Sequence, residues 1–346
     1  MSTPPPTKST RKRITPFPGL VPIACNFDGT GGNILGAAFC YVLGLHPKVA
    51  FKFAFKYDYP EDYDPRWKQI YQTNTLHAEE GLAREKNVYM DIAKASRWHP
   101  NLHILQPCLC VPEGIFMPPM KCNLRKRLLA ARGEKDEYFP PIKLENQPPI
   151  TSDKKARWVK QLIGALAWLE SIGYAHGDLR PPNILLNHDD NVVLADFGSS
   201  ARLGEDRITS ADTYCPLNFD YASHISEQYA AGWCIYTICQ GQEPEEFNLP
   251  REWRGEDIKM EQISFPSTEN LQFQDIIRKC WHLQYPSIAA LARDVTTEYN
   301  MRKWWYSRWW EYVQERLYIL AFLLERPWQL YLMRRVYKNL QAGSDP

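Results

Sequence analysis

Two short polar motifs on either side of a predicted β-hairpin constrain this chain most. Residues 176–183 read HGDLRPPN, and residues 196–198 read DFG. Between them, two apolar runs flank a polar turn at residues 187–191, a pattern typical of two antiparallel strands. The hairpin is therefore predicted to bring Asp196 back beside Asn183.

The side chains of these motifs suit the transfer of a phosphoryl group. That reaction needs little covalent chemistry from a protein, but it needs a metal ion, a phosphate and an acceptor hydroxyl held in line. Asp178 can accept the hydroxyl proton, and Arg180 supplies positive charge. Asn183 and Asp196 carry the oxygen atoms that Mg²⁺ prefers. The candidate catalytic residues are thus Asp178, Arg180 and Asn183, and the candidate metal ligands are Asn183 and Asp196.

The two motifs together resemble those of the protein-kinase superfamily, in which HRDLKPxN precedes DFG. The resemblance implies an α+β, two-lobed fold with a small β-rich lobe and a large, mostly helical lobe. It also implies ATP and Mg²⁺ as cofactors and a protein as substrate. The HGDLRP loop and the SEQ triplet at residues 226–228 are similar to those of kinase-like proteins of filamentous fungi.

Gly177 is a departure from the family pattern. Most members carry an arginine at this position, and that arginine pairs with a phosphorylated activation loop. We therefore do not expect loop phosphorylation to switch this protein on.

The nucleotide site is predicted to lie in the small lobe. Gly29 and Gly31 belong to a glycine-rich stretch whose backbone N–H groups can approach phosphates closely. Residues 49–52 read VAFK and resemble the family's VAIK element, which makes Lys52 the candidate phosphate-anchoring lysine. Lys56 is the alternative, because strand alternation places both lysines on one face.

The partner of this lysine is predicted on the following helix. Apolar residues recur with helical spacing over residues 79–95. Glu85 is the candidate partner, with Glu79 and Glu80 as alternatives. The resemblance also places Phe116 at the back of the nucleotide pocket.

The chain is predicted to contain two lobes with a further segment at each end. Its 346 residues fit two structural units. Residues 57–75 are predicted to form an insertion, and residues 133–150 a surface loop. The predicted parts are a disordered tail at 1–19, a small lobe at 20–117, a large lobe at 118–294 and a helical extension at 295–346.

The C-terminal extension is rich in tryptophan. A helix is predicted from Trp304, and Pro327 is expected to end it before a second, basic helix at residues 328–340. Its apolar run is shorter than a membrane span requires. We expect the aromatic face to pack on the large lobe or on a partner, such as a second copy; weak contact with a membrane surface is the alternative.

The composition fits this interpretation. A net charge of +1 favours no nucleic-acid partner. Nine scattered cysteines indicate reduced thiols, and residues 1–19 contain no apolar signal segment. We therefore expect a cytoplasmic protein, with the nucleus as the alternative because residues 11–13 are basic.

The function expected from the sequence is that of an ATP- and Mg²⁺-dependent serine/threonine protein kinase. Two alternatives stay open. The irregular glycine-rich loop and the proline-containing hinge at residues 117–120 favour a pseudokinase, which keeps the fold as a binding or scaffold module. The HGD variant also occurs in kinases that act on small molecules.

Overall fold

The structure confirms the two-lobed α+β fold, with strands grouped in the N-terminal region and helices dominating the rest. It is a computed structural model. The residues that it describes are 12–17, 20, 34–37, 40–54, 56–58, 64–97, 99–134, 149–208, 214, 220–243 and 265–343. Within these ranges, no helix combines the length and apolar character needed to cross a membrane.

The small lobe is built on antiparallel strands. The strands of this lobe are β1 (Lys12–Ile14), β2 (Ile34–Ala37), β3 (Cys40–His46), β4 (Val49–Ala54), β5 (Lys56–Asp58), β6 (Leu109–Val111) and β7 (Gly114–Met117). Five of them form one sheet in the order β2-β3-β4-β7-β6. Opposite residues share a face, so Lys52 lies on the side of Ile115, whereas Phe51 and Phe116 lie on the other side.

The predicted disordered tail at residues 1–19 includes an ordered part at residues 12–17, and its other residues lie outside the described ones. Strand β1, within the expected disordered segment 1–19, pairs with β5. Phe17 is buried and its ring packs against Phe51. Burial of this aromatic ring holds residues 12–17 against the small lobe. This contact is not visible in the local sequence pattern.

Helix α1 (Pro65–Ala95) contradicts the prediction of an insertion at residues 57–75. The helix begins more than a dozen residues earlier than expected. Asp64 caps it by accepting a hydrogen bond from the Arg66 N–H at 2.9 Å, and Pro65 occupies the first turn, where its missing N–H costs nothing. Asp64 and Pro65 therefore mark the start of a helix within the predicted insertion.

The large lobe is mostly helical. Its elements are β8 (Cys122–Asn123), α2 (Leu124–Ala131), α3 (Ser152–Ser171), β9 (Tyr174–Ala175), β10 (Ile184–Leu186), β11 (Val192–Leu194), β12 (Ala201–Arg202), α4 (His224–Gln240), α5 (Gln274–Trp281) and α6 (Ile288–Met301). Thr151 caps α3, and Gly241 ends α4 in the left-handed conformation. Helix α4 is buried from Ser226 to Cys239, as its nearly uncharged sequence predicts. Most of the predicted loop 133–150 lies outside the described residues.

The large lobe extends further than predicted. The boundary expected after residue 294 falls inside α6, whose Val295 and Tyr299 are buried. Because these residues belong to the main core, we place the end of the large lobe after α6.

Helix α7 (Trp305–Gln341) also differs from the prediction, because Pro327 does not break it. A proline inside a helix removes one hydrogen bond and costs roughly 3 kcal/mol. Burial of Met333, Val336 and Leu340 against the small lobe offsets this cost. These three side chains pack with the sheet face that carries Phe51 and Phe116, and Tyr337 donates a hydrogen bond to Glu113 Oε2 at 3.2 Å.

The docking of α7 predicts a test of stability. Met333 is fully buried, so Met333→Ala should lower the free energy of unfolding by about 2–5 kcal/mol through lost transfer energy and a cavity. Arg334→Ala, at the exposed neighbouring position, should change it by less than about 0.5 kcal/mol. Urea unfolding measures both, and equal effects would show that α7 does not stabilise the small lobe.

Candidate active site

Lys52 forms two ion pairs that join three parts of the chain. Its Nζ lies 2.7 Å from Glu85 Oε2 on α1 and 2.8 Å from Asp196 Oδ1 after β11. Lys56 pairs instead with Glu79, at 2.6 Å, and both of these side chains are largely exposed. The structure thus brings together Lys52 and Glu85, the first choices from the sequence. The alternatives Lys56, Glu79 and Glu80 do not take part in this contact.

The charges of this triad are coupled. Burial disfavours a charged lysine, but the carboxylates of Asp196 and Glu85 outweigh it and raise the pKa of Lys52. Burial raises the pKa of Glu85, although Lys52 opposes this effect. Partial burial also acts to raise the pKa of Asp196, but the charge and hydrogen bond of Lys52 hold that pKa below its ordinary value. Asp196 is therefore kept ionised.

The predicted catalytic residues lie on one loop. Asn183 Nδ2 donates hydrogen bonds to the Asp178 carbonyl oxygen at 2.8 Å and to Asp178 Oδ2 at 2.9 Å. Arg180 Nε lies 3.2 Å from Asp178 Oδ1. Burial raises the pKa of Asp178, while the charge of Arg180 opposes the rise. The loop therefore holds one carboxylate between an amide donor and a cation.

The β10–β11 hairpin delivers Asp196 to this loop, as predicted. Ile184 pairs with Leu194, and the Ala195 N–H donates to the Asn183 carbonyl oxygen at 3.2 Å. Asp196 itself adopts the left-handed conformation, with φ of 65°. Its side chain is half exposed, so one of its oxygens faces away from Lys52 and is accessible to a ligand.

The donor set fits a magnesium ion. Because Asn183 uses its Nδ2 atom for Asp178, its Oδ1 atom is directed elsewhere. Asp196 keeps one oxygen accessible beside it. A carboxylate and an amide oxygen are hard ligands of the kind that Mg²⁺ takes along with phosphate oxygens.

Comparisons with known proteins agree with this geometry. A family model described as protein kinase domain matches residues 128–287. Serine/threonine-protein kinase GIN4 of Saccharomyces cerevisiae is 26% identical over 192 residues, which cover 51% of this chain and 16% of the yeast protein. 3-phosphoinositide-dependent protein kinase 1 of Arabidopsis thaliana is 26% identical over 163 residues, 42% of this chain and 32% of the plant protein. These matches support membership in the protein-kinase superfamily.

A third relative shows the same partial coverage. The cAMP-dependent protein kinase, catalytic subunit-like, of Caenorhabditis elegans is 24% identical over 166 residues, 46% of this chain and 42% of the nematode protein. The chain therefore spans less than half the length of each of these three kinases. The likeness supports the family, and the roles of individual site residues remain predictions.

Sequence reasoning did not assign a role to Glu227. Its two carboxylate oxygens accept hydrogen bonds from the backbone N–H groups of His176 and Gly177, at 2.9 and 3.0 Å. Glu227 is buried on α4, so the central helix fixes the backbone just before Asp178. The sequence signal was an acidic residue in an otherwise uncharged buried helix, because such a charge needs partners.

His176 fixes the same loop from the other side. Its Nε2 atom lies 3.0 Å from the Ala195 carbonyl oxygen, which can only accept, so Nε2 carries the proton. Nδ1 then accepts a hydrogen bond from the Asp178 N–H at 3.3 Å. The buried imidazole thus links the loop to the end of the hairpin.

The backbone geometry explains why residue 177 is a glycine. Its φ is +80°, and a Cβ atom at this position would lie 2.2 Å from the Ser199 carbonyl oxygen. A side chain would therefore force the loop and the segment after DFG apart. The Ser200 hydroxyl donates to the His176 carbonyl oxygen at 2.9 Å across the same contact.

Two other predictions have different outcomes. Gly29 and Gly31 lie outside the described residues, so their nucleotide role stays a prediction.

The placement of Phe116 at the back of the nucleotide pocket is wrong. Its ring faces away from Lys52 and contacts Phe51 and Tyr337, at 4.5 and 5.7 Å between ring centroids. Alternation in β7 puts Met117 on the face of Lys52 instead.

The opposite pKa shifts predict opposite effects of two similar substitutions. Asp178 binds its proton more tightly in the folded chain, so its ionisation destabilises the fold as pH rises through its folded pKa. Asp196 binds its proton less tightly, so its ionisation stabilises the fold and this contribution is lost as pH falls through its folded pKa.

At neutral pH, Asp178→Asn should therefore raise the melting temperature and Asp196→Asn should lower it. Both differences from wild type should shrink in acid, the Asp178 difference at the higher pH. Thermal unfolding of the three proteins across a pH series checks this. Shifts of the same sign for both variants would contradict the assigned electrostatics.

A matched pair of glycines tests the loop contact. Gly173 and Gly177 have similar φ values, +86° and +80°, but a Cβ at Gly173 meets only Arg202 Nη1, at 3.9 Å. Gly173→Ala should cost about 1–2 kcal/mol of stability from backbone strain alone. Gly177→Ala should cost on the order of 3 kcal/mol or more, because the backbone must also move. Equal losses in chemical denaturation would rule out the steric contact.

Proposed function

We propose that this chain is an ATP- and Mg²⁺-dependent phosphotransferase that transfers the γ-phosphate of ATP to a serine or threonine hydroxyl of a protein. One observation carries the proposal: a single buried lysine contacts both Glu85 and Asp196. In phosphoryl transfer by kinases, the lysine–glutamate pair and the DFG aspartate must both be in place.

The nucleotide phosphates would bind beside Lys52. The pair with Glu85 holds the lysine head group in one position on β4, and the raised pKa keeps it charged at any physiological pH. A charge that is already oriented loses little further side-chain entropy when a phosphate arrives. Lys52 is thus pre-organised to position the transferring group.

The metal would be held by Asn183 and Asp196. When bound, Mg²⁺ neutralises charge on the phosphate oxygens. The protein contributes the placement of the ligands. Asp196 is kept ionised by Lys52, and Asn183 is oriented by its two hydrogen bonds to Asp178.

Asp178 would accept the proton of the acceptor hydroxyl. Its raised pKa brings its basicity closer to what proton transfer near neutral pH requires. Arg180, whose side chain is about half exposed beside Asp178, balances the charge as the acceptor oxygen approaches. Glu227 and His176 hold the backbone that carries this carboxylate.

We also propose that the active arrangement does not require phosphorylation of the activation loop. Gly177 offers no cation for a phosphate. The DFG segment is instead held to α1 by protein contacts: Arg84 Nε donates to the Gly198 carbonyl oxygen at 3.1 Å, and the rings of Tyr89 and Phe197 lie 5.3 Å apart. The similarity to yeast GIN4, which is named a serine/threonine-protein kinase, supports the class of acceptor.

A pair of lysine substitutions tests the proposed activity. Lys52→Met should reduce phosphate transfer from radiolabelled ATP to a serine/threonine peptide library by at least about 100-fold, because the phosphates lose their anchor. Lys56→Met is the matched control, because this exposed lysine lies four residues after Lys52. Among the described residues, it pairs only with Glu79. It should keep transfer near the wild-type rate.

Two further variants separate binding from chemistry. Asp178→Asn should lose turnover by about 100-fold or more while Mg-ATP binding persists, because only the proton acceptor is removed. Asp196→Asn should weaken Mg-ATP binding as well. Binding without any transfer by the wild type would instead support a pseudokinase, and transfer restricted to small-molecule acceptors would contradict a protein substrate.

A further inference from the structure

Helix α7 presents a long apolar surface that the described residues do not cover. The helix contacts the large lobe near its start, where Glu311 accepts a hydrogen bond from the Tyr299 hydroxyl at 2.9 Å and pairs with Lys303 at 2.9 Å. It contacts the small lobe near its end through Met333 and Val336. Between these anchors, large hydrophobic side chains remain exposed.

The exposed side chains follow a heptad pattern. At the two seam positions of a coiled coil, usually labelled a and d, the sequence is apolar at every step over about three and a half heptads. We call this set the α7 seam. Its members are Tyr306, Trp310, Val313, Leu317, Leu320, Leu324, Pro327 and Tyr331.

The α7 seam points away from the body of the protein. At about 100° per residue, its centre lies roughly 160° around the helix axis from the centre of the row that contains Glu311, Met333, Val336 and Leu340. The exposures agree: Leu317, Leu324 and Tyr331 are 58%, 72% and 61% exposed. The helix is thus held by one side and displays the other.

The size of the α7 seam matches a stable interface. Its exposed side chains together present roughly 800 Å², the area that each partner contributes to a standard protein–protein interface. Monomeric proteins rarely leave contiguous apolar patches larger than about 300–600 Å². The area therefore suits a partner helix of similar length.

The order of residues along the α7 seam makes it self-complementary. Aromatic residues occupy its two ends and aliphatic residues its middle. If a second copy runs antiparallel about the midpoint between Leu317 and Leu320, Tyr306 meets Tyr331 and Val313 meets Leu324. The central layers then pair aliphatic side chains, the end layers pair tyrosines, and the layers between them pair Trp310 with Pro327, so the surface can contact a second copy of itself.

The charges beside the α7 seam permit this pairing. The flanking positions, labelled e and g, are Ser307, Trp309, Gln314, Arg316, Ala321, Leu323, Trp328 and Leu330. Arg316 is the single charge among them, and in the antiparallel register it falls opposite Leu323 and not opposite itself. No like charges oppose each other, and the apolar flanks widen the contact.

We propose that the α7 seam is the interface of a homodimer, in which two copies of this chain pair α7 antiparallel. An anionic membrane surface is the less suitable occupant, because the α7 seam and its flanking positions carry one basic residue, Arg316, whereas helices that bind anionic lipid are rich in Lys and Arg. The proposal is independent of catalytic activity, since it uses no residue of the active site.

Sedimentation equilibrium of the full chain tests the proposal. The wild type should sediment with twice the chain mass at micromolar concentrations. Leu317→Arg combined with Leu324→Arg should shift the dissociation constant at least about 100-fold towards monomer, because each arginine would be buried without a partner, opposite Leu320 or Val313 of the second copy. Trp305→Arg combined with Tyr318→Arg is the matched control, at positions that are 70% and 53% exposed but outside the α7 seam, and should remain dimeric.

Hydrogen exchange provides a second measurement that does not depend on variants. Amides of residues 306–331 should become more protected as wild-type concentration rises. A wild type that stays monomeric up to about 100 μM, or a control pair that dissociates as much as the seam pair, would overturn the proposal. So would a monomer that binds vesicles containing phosphatidylserine through the same residues.

Discussion

The arrangement of the site depends on one buried charge. Lys52 lies in an apolar sheet, where an unpaired ammonium group would cost several kcal/mol. It is retained because Glu85 and Asp196 both contact it, and these carboxylates come from a helix and from a turn after a hairpin. The two ion pairs of Lys52 therefore form together only at one relative position of the two lobes. If α1 or the DFG segment moves, the lysine loses a partner, and the electrostatic cost opposes the movement.

The large lobe solves a related problem with backbone groups. The loop that carries Asp178 has no regular secondary structure, so its N–H groups need partners. Glu227 accepts two of them from a helix that is buried on all sides, and His176 bridges to Ala195. Gly177 permits this because it has no side chain at a point where the Ser199 carbonyl group approaches. A buried helix thereby positions a loop that has no regular secondary structure.

The sequence alone predicts the features that depend on local chemistry. The hairpin before DFG follows from a polar turn between apolar runs, and the caps of α3 and α4 follow from Thr151 and Gly241. It does not decide between Lys52 and Lys56, because alternation places both on one face and only the position of α1 separates them. It also misses the helical path through Pro327, since the burial of Met333 and Val336 is a long-range contact that propensity does not contain.

Helix α7 adds a constraint that the kinase fold itself does not include. Because it is one continuous helix, its contact with the large lobe through Glu311 and its contact with the small lobe through Met333 cannot move apart freely. A helix of this length stretches or bends only at a cost, and the weakest point is Pro327, where a backbone hydrogen bond is missing. Movement of the lobes about the nucleotide site is thus coupled to bending at this proline. Any partner that stiffens the exposed part of α7 would act on the same movement, since it would raise the cost of that bend.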